Sequence, residues 1–167
     1  VSGTTGWLEK CDEIKEKCNN EGNAFFYASN FSLGVNLFFK LNEELAKLMN
    51  KFNEYDISVE EVHHTKKLDA PSGTAITVAE GILNNIERKK SWELEKLPSD
   101  DTLRVDSVRR GNVPGIHTVY YDSEVDYIEI THSAKSRQGF ALGAVLAAEY
   151  MKDKTSGWHG MSDLLGI

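Results

Sequence analysis

Hydrophobic side chains recur at helical spacing in four parts of the chain. From Ser32 onward, apolar residues follow one another at steps of three and four for about five turns, and they are Val35, Phe38, Leu41, Leu45, Leu48, Met49 and Phe52. This spacing predicts a long amphipathic helix. A second helix is predicted after Pro71, with Ser72 as its N-cap, and an alanine-rich one over Phe140–Met151. The charged segment Leu8–Asn20 has the pattern of another amphipathic helix.

Period-two alternation indicates strands in the middle of the chain. Ile57–His64 alternates, so that one face carries Ile57, Val59, Glu61 and His63. Three later segments, near Leu103–Val108, His117–Tyr121 and Tyr127–His132, alternate in the same way between turn sequences, and we expect them to be neighbouring antiparallel strands. Glu87–Asp101 lacks periodicity and contains a proline, so it is predicted to be a surface connection.

The beginning of the chain has the pattern of a second unit. Gly3–Gly6 has the glycines of a tight strand-to-helix turn, and Ala24–Ala28 is a short apolar run typical of a buried strand. Together with the helix over Leu8–Asn20 they predict part of a βαβ unit. The whole chain is therefore predicted to be α+β, with a mixed, mostly open β-sheet and helices packed on one face of it.

Charge and composition exclude several classes of protein. With 19 basic and 26 acidic residues the net charge is −7, which argues against general binding to nucleic acids or anionic membranes. No apolar run approaches the roughly 20 residues of a membrane span, and no secretion signal is visible, so we expect a soluble, cytoplasmic protein. Cys11 and Cys18 lie about two helical turns apart, too far for a disulfide, and are expected to be reduced.

The segment Glu60–Ala75 concentrates the residues that could do chemistry. It contains two histidines, two lysines and the start of a predicted helix. Free amides at a helix N-terminus bind anions, and here the groups available for an anion are the amides of Gly73, Thr74 and Ala75 and the hydroxyls of Ser72 and Thr74. The sequence therefore predicts an anion-binding cradle at the start of this helix.

Nearby cations complete the predicted site. An exposed helix dipole contributes only about 0.3–1 kcal/mol, so a carboxylate needs further donors. Lys66, Lys67 and His64 precede the helix and can supply them. Histidine can hold or release a proton near pH 6.5, and a lysine beside it can donate one. This set of groups is suited to binding a small polycarboxylate and protonating it.

Other interpretations of the same residues compete with this one. A metal site would require His63, His64, His117 and His132 to converge, but adjacent histidines on a strand point to opposite faces, so no metal is predicted. Ser72 is not in a Gly-x-Ser-x-Gly elbow, which argues against a serine hydrolase. Each feature also has a structural explanation, namely a polar strand end, a solvated lysine loop and an ordinary helix cap.

A longer motif extends this segment. The run Glu61–Ala75 reads E-V-H-H-T-K-K-L-D-A-P-S-G-T-A and resembles the signature E-x-H-H-x-x-K-x-D-x-P-S-G-T-A of the 4-hydroxy-tetrahydrodipicolinate (dihydrodipicolinate) reductases. The segments Gly3–Gly6, Ala28–Asn36, Ile130–Arg137 and Asp163–Gly166 are similar to other parts of that family, in the same order. The resemblance covers essentially the whole chain.

The resemblance implies an activity and roles for individual residues. The family reduces a cyclic, unsaturated dicarboxylate with hydride from NADH or NADPH, in the diaminopimelate route to lysine. By position, His63 resembles the general acid/base and Lys67 the proton donor, while His64, Gly73 and Thr74 resemble ligands of the substrate carboxylates. If the strand runs extended through Lys67, His63 and Lys67 share a face, which puts two proton sources on one side.

The resemblance also implies a division of the chain and a cofactor site. Residues 1–31 resemble a remnant of a truncated Rossmann-type dinucleotide-binding domain, residues 32–136 a substrate-binding and oligomerisation domain, and residues 137–167 the C-terminal return. The expected cofactor-binding residues are Gly3, Thr4, Thr5, Ala28, Ser29, Asn30, Phe31 and Arg137. No Gly-x-Gly-x-x-Gly loop is present to hold a pyrophosphate, so we expect this chain alone to bind the cofactor weakly and to turn over little.

Two further functions stay open from the sequence. Another two-domain nicotinamide-dependent oxidoreductase would share the cofactor edge but use a different base and anion site. A non-catalytic oligomerisation module would use its sheet as an interface, and the candidate residues for it are Val119, Tyr120, Tyr121 and Tyr127. In the family this sheet resembles a tetramerisation surface, so a homotetramer is expected in either case. Neither nucleic acid nor membrane is expected as a partner.

Overall fold

The computed structural model describes residues 1–4, 7–96 and 99–167, apart from the side chain of Leu8. The chain forms two compact units, one of Val1–Asn36 with Arg137–Ile167 and the other of Leu37–Ser136. In chain order the helices are α1 (Cys11–Asn20, after a short 3-10 turn at Leu8–Lys10), α2 (Leu33–Met49), α3 (Gly73–Leu83), α4 (Gln138–Met151) and α5 (Met161–Leu165). The strands are β1 (Ala24–Phe26), β2 (Asp56–His63), β3 (Ser91–Leu94), β4 (Thr102–Arg109), β5 (Ile116–Asp122), β6 (Tyr127–Ser133) and β7 (Gly157–His159).

The larger unit is built on a five-stranded mixed sheet. Its strand order is β3-β4-β2-β5-β6, in which β3, β4 and β2 are parallel while β5 and β6 are antiparallel to their neighbours. The sheet and the helices α2 and α3 share one hydrophobic core. Ile57 and Val59 of β2 are fully buried in it, on the face that the alternation predicts. The predicted α+β class with a mixed sheet is confirmed.

Two predictions about the strands are wrong. β3 lies inside Glu87–Asp101, which the absence of periodicity assigned to a connection, and Trp92 packs against the core from this short edge strand. β4 is not a neighbour of β5, because β2 lies between them and pairs with β4 in parallel. A parallel pair needs a crossover connection, and α3 lies in the connection between these two strands. The antiparallel pairing of β5 and β6 is confirmed.

The long helix α2 is confirmed, but its buried face differs from the predicted stripe. Phe38 and Met49 are buried as expected, whereas Leu41 and Leu48 are exposed. Asn42 is buried instead, and its side-chain amide donates a 3.0 Å hydrogen bond to the carbonyl of Val78 in α3. A polar residue can occupy this face because that bond gives its amide nitrogen a partner.

The smaller unit is held together around β1. This strand pairs in parallel with β7, which the sequence did not reveal because it is only three residues long, and Ser2 forms a parallel bridge with Tyr27. Phe26, Ala147 and Met161 are buried together in its core. Cys11 and Cys18 are free thiols, as expected. Among the residues that the structure describes, no helix is long and apolar enough to cross a membrane.

Gly143 lets α4 approach the backbone that follows β1. A Cβ atom at this position would lie 1.7 Å from the carbonyl oxygen of Phe31, far inside contact distance. At Gly139, in the first turn of the same helix, a Cβ would meet only the hydroxyl of Ser32 at 3.5 Å. Position 143 therefore requires glycine, whereas position 139 has room for a methyl group.

We expect Gly143→Ala to destabilise the smaller unit by at least about 2 kcal/mol, because backbone must move to admit the methyl group. Gly139→Ala is the matched control and is expected to be neutral or stabilising by up to about 1 kcal/mol, since alanine favours the helix. Thermal unfolding followed by fluorescence checks this, because Trp7 and Trp158 both belong to this unit. Equal melting temperatures for the two variants would contradict the packing described.

Candidate functional site

The buried face of the sheet becomes polar towards the carboxyl end of β2. Residues directly opposite each other on neighbouring strands share a face. The row through Val59 is apolar, since it pairs with Val105 and Val119. The next row along the same face consists of Ser107, Glu61, His117 and His132. The core therefore ends in a line of polar groups, which the end of a strand can present to a ligand.

Glu61 is a fully buried carboxylate surrounded by donors. Its Oε1 accepts hydrogen bonds from the Ser107 hydroxyl at 2.8 Å and from Nη2 of Arg109 at 3.2 Å. Its Oε2 accepts one from the Ser72 amide at 3.0 Å and lies 3.4 Å from Nδ1 of His63. Burial by itself raises the pKa of Glu61, but the interactions with His63, Ser72 and Ser107 outweigh it and hold the pKa well below its usual range. The group is therefore an anion at neutral pH.

Two histidines lie beside this carboxylate. The rings of His63 and His117 are 5.1 Å apart between centroids and nearly perpendicular. Nε2 of His117 is 3.2 Å from the Ser72 hydroxyl and 3.8 Å from Oε2 of Glu61. Burial lowers the pKa of His117 to about 4, and the neighbouring His63 adds to the effect, so His117 is neutral at pH 7. A Cβ at Gly115 would lie 3.1 Å from Nε2 of His63, so the glycine leaves room for this ring.

The loop after β2 turns away from the strand direction. β2 ends at His63, and the Lys67 amide donates a hydrogen bond to the His64 carbonyl, which closes a turn. The strand therefore does not run extended through Lys67, and the predicted sharing of one strand face by His63 and Lys67 is wrong. Nζ of Lys67 instead forms an ion pair with Asp69 at 2.6 Å. Arg109 donates to the carbonyls of Lys67 and Asp69, so the guanidinium that faces Glu61 also holds this loop.

The start of α3 is confirmed as a capped helix, but part of the predicted anion cradle is already engaged. The Ser72 hydroxyl accepts a hydrogen bond from the Ala75 amide, which leaves its own proton available for Nε2 of His117. Ser72 and Ala75 therefore serve the fold, contrary to the prediction that they receive an anion. Gly73 is exposed, and a Cβ at this position would have no neighbouring atom within 4 Å. Within the predicted cradle, Gly73 is thus the position with open surroundings, and its neighbour Thr74 is half-buried.

The structure brings the start of α3 next to the end of β2, and the sequence-predicted substrate residues lie on these elements or in the loop between them. The Ser72–Glu61 hydrogen bond holds the start of α3 against the end of β2, and Arg109 ties the intervening loop to the same carboxylate. The residues along this stretch are His63, His64, Lys67, Gly73 and Thr74. Sequence reasoning missed Ser107 and Arg109 and gave Glu61 no role. The one available signal was a glutamate on the buried face of an otherwise apolar strand.

The predicted cofactor residues lie in the smaller unit. Ser2 and β1 run in parallel, with the Ala28 amide donating to the Ser2 carbonyl, so Gly3 and Thr4 lie beside the segment that follows β1. A Cβ at Gly3 would lie 3.1 Å from the ring of Phe31. That segment contains Ala28, Ser29, Asn30 and Phe31, and Arg137 directly precedes α4, which packs on it through Gly143. Thr5 lies outside the described residues.

A cation has one candidate position among the described residues. Ligand atoms of Glu61, His63 and His117 all lie within 4.8 Å of one another. His64 does not belong to this group, in agreement with the expectation that adjacent histidines are poor joint ligands. The guanidinium of Arg109 already offsets the charge of the carboxylate, and the Ser72 amide occupies an acceptor site on Oε2, so both oppose a bound cation.

We expect the low pKa of His117 to make the fold acid-sensitive. The unfolded chain takes up a proton on His117 near pH 6.5 and the folded protein only near pH 4, so stability is lost as the pH falls between these values. Between pH 7 and pH 5 the loss from this group is about 2 kcal/mol. His117→Gln should flatten the pH dependence of urea unfolding by that amount, whereas His159→Gln, in the other unit, should leave it unchanged. An unchanged pH dependence in His117→Gln would contradict this.

Known proteins resemble this chain over its full length. The family model for the C-terminus of dihydrodipicolinate reductase matches residues 34–165. The 4-hydroxy-tetrahydrodipicolinate reductase of Christiangramia forsetii is 56% identical over 165 residues, which are 99% of this chain and 68% of that protein. Those of Aquifex aeolicus and Methanocaldococcus jannaschii are 42% and 40% identical, each over 100% of this chain and over 63% and 62% of the relative.

A solved structure has the same fold. It is a dipicolinate-bound dihydrodipicolinate reductase from Paenisporosarcina sp. TG-14, with a TM-score of 0.69 and 22% identity, covering 98% of this chain and 62% of that one. The present chain thus spans about two thirds of the length of these relatives. The motif at the end of β2, the site built around it and these similarities agree, and the chain belongs to the dihydrodipicolinate reductase family.

Proposed function

We propose that this chain carries the substrate site of a 4-hydroxy-tetrahydrodipicolinate reductase. The enzyme would reduce a cyclic, unsaturated dicarboxylate to tetrahydrodipicolinate with hydride from NADH or NADPH, in the diaminopimelate route to lysine. The observation that carries the proposal is the Ser72–Glu61 hydrogen bond, because it holds the open helix start at Gly73 beside the strand end at His63. The names of the relatives agree with this activity.

Binding of a dicarboxylate would use the positive groups of this site. The exposed amide end of α3 at Gly73 and Thr74 receives one carboxylate, and His64 and Lys67 supply further donors. Nζ of Lys67 is engaged by Asp69, but the Asp69 side chain is 63% exposed. An exposed ion pair contributes little to stability, so a substrate carboxylate can replace Asp69 at low cost. The pair shows that this position of Nζ already accommodates a carboxylate.

The reaction requires a proton as well as a hydride. NADH or NADPH supplies the hydride. Addition of the hydride leaves one carbon electron-rich, and that carbon must then be protonated. We assign His63 as the general acid/base and Lys67 as the proton donor. His63 is nearly buried at the end of β2, with 8% of its surface exposed, so bulk water has limited access to the ring. A proton held there is delivered to a bound substrate in preference to solvent.

The smaller unit would hold the nicotinamide end of the cofactor. Ligands of open α/β sheets bind beyond the carboxyl ends of parallel strands, which is where Gly3, Thr4 and the residues 28–31 lie. Arg137 at the start of α4 would add a positive charge for the cofactor phosphates. Residues 1–31 and 137–167 would on this proposal be parts of the dinucleotide-binding domain, and residues 32–136 the substrate-binding and oligomerisation domain.

Assembly into a homotetramer would use the sheet face opposite the core. Tyr127 on this face is 65% exposed, and Tyr120 lies on the same face. The prediction that Val119 and Tyr121 form an interface is wrong, because both are fully buried in the core of their own unit. Assembly and catalysis would thus use opposite faces of one sheet, which allows both in a single, cytoplasmic enzyme.

Pyridine-2,6-dicarboxylate, a planar analogue with two carboxylates, tests this substrate site. We expect Lys67→Ala to weaken its binding to this chain by roughly 10- to 100-fold, because a charge-assisted hydrogen bond contributes about 1.5–3 kcal/mol. Lys66, which the sequence also offers as a donor, is exposed, so Lys66→Ala is the matched control: it removes the same charge from the adjacent position and should change the affinity by less than about threefold. Isothermal titration calorimetry measures both. Absence of binding to the unaltered chain, or equal losses in the two variants, would refute the proposed site.

A further inference from the structure

The two oxygens of Glu61 face different parts of the molecule. Within the described part of the chain, Oε1 accepts hydrogen bonds from groups of β4, the Ser107 hydroxyl and the Arg109 guanidinium. Oε2 faces the site, where it accepts from the Ser72 amide and lies 3.4 Å from Nδ1 of His63. β4 therefore holds the carboxylate through Oε1, and Oε2 faces the imidazole of His63.

We propose that Glu61 is a positioning residue that selects the ring tautomer of His63. A carboxylate is only an acceptor, so the imidazole nitrogen that faces it is favoured in its protonated, donating form. The proton of neutral His63 is then on Nδ1, and Nε2 carries the lone pair. This inference rests on the proposed function of His63 as the acid/base, and it adds how the fold sets which nitrogen of that ring accepts and returns the proton.

Glu61 is better placed than the neighbouring groups to set the tautomer of His63. His117 is the other imidazole near Oε2, but it lies farther away, at 3.8 Å, and its Nε2 is nearer to the Ser72 hydroxyl. On the opposite side of the His63 ring, Gly115 has no side chain, so it offers Nε2 neither a donor nor an acceptor from a side chain. The environment of His63 is thus asymmetric, with a fixed anion 3.4 Å from Nδ1 and a glycine beside Nε2.

Glu61→Gln separates this role from a structural one. The glutamine has the same length, and with its carbonyl oxygen in the place of Oε1 it can still accept from Ser107 and Arg109 of β4. Its amide nitrogen then takes the place of Oε2, where it gives up the hydrogen bond from the Ser72 amide but can donate to Nδ1 of His63, which favours the tautomer with the proton on Nε2. Ser107→Ala is the matched control, because it removes a hydrogen bond from the same carboxylate but on Oε1, the oxygen that does not face His63.

Nitrogen-15 NMR of histidine-labelled protein at neutral pH reads the tautomer directly. We expect Nδ1 of His63 to be the protonated nitrogen in the unaltered chain and in Ser107→Ala, and the population to shift towards Nε2–H in Glu61→Gln. Nε2–H as the main tautomer of the unaltered chain would overturn the inference, and that measurement needs no variant. A tautomer that is the same in Glu61→Gln and the unaltered chain would also overturn it.

Measurements of ligand affinity and of kcat distinguish a failure of this inference from a failure of the proposed function. Affinity for pyridine-2,6-dicarboxylate is measured in Glu61→Gln as well, because the substitution also gives up the hydrogen bond that holds Ser72 at the start of α3. In the full-length reductase the same substitution should lower kcat, measured at saturating substrate, by roughly tenfold or more, since a positioned acid/base contributes about 10²–10⁴-fold. Failure of the unaltered chain to bind the analogue refutes the proposed function. Intact binding with an unaltered kcat in Glu61→Gln refutes the positioning role alone.

Discussion

The site depends on one buried charge. An ionised carboxylate inside a protein is costly unless donors surround it, and removing one partner of such a group is far more damaging than its net contribution suggests. Glu61 meets this requirement by collecting donors from β4 and from the start of α3, and Nδ1 of His63 in its own strand lies 3.4 Å away. Because the carboxylate must be satisfied, these elements are held in a single arrangement. The positions of His63, the helix start and the loop between them follow from that arrangement.

The same sheet face serves both the core and the chemistry. Along β2 the residues Ile57 and Val59 bury apolar surface against the helices, and Glu61 and His63 continue the face as polar groups. The site is therefore built on a central strand between two paired neighbours, where the backbone has little freedom to move. A rigid strand and a capped helix hold catalytic groups more accurately than free loops do. The loop that carries Lys67 has no strand or helix of its own and is held through Arg109.

Local patterns in the sequence predicted the long helices, the strand β2 and the cap at Ser72, and they named the residues proposed for the substrate site. They could not predict the partners of Glu61, because Ser107 and Arg109 are 46 and 48 residues away and reach it only through the parallel register of β2 and β4. The sequence favoured antiparallel neighbours for β4, and no local signal shows that α3 returns the chain in parallel. The second engagement of Ser72, with His117, depends on the same sheet order. Pairwise register is a property of the whole sheet and not of any one segment.

The ionisation state of Glu61 tests the central claim most directly. Carbon-13 NMR of the glutamate side-chain carboxyl groups follows it through a pH titration, with Glu61→Gln identifying the signal. The account predicts that the Glu61 resonance keeps the position of an ionised carboxylate from pH 7 down past the usual glutamate pKa of about 4.3, for as long as the protein stays folded. A carboxyl that titrates at or above that pH in the folded protein would contradict it.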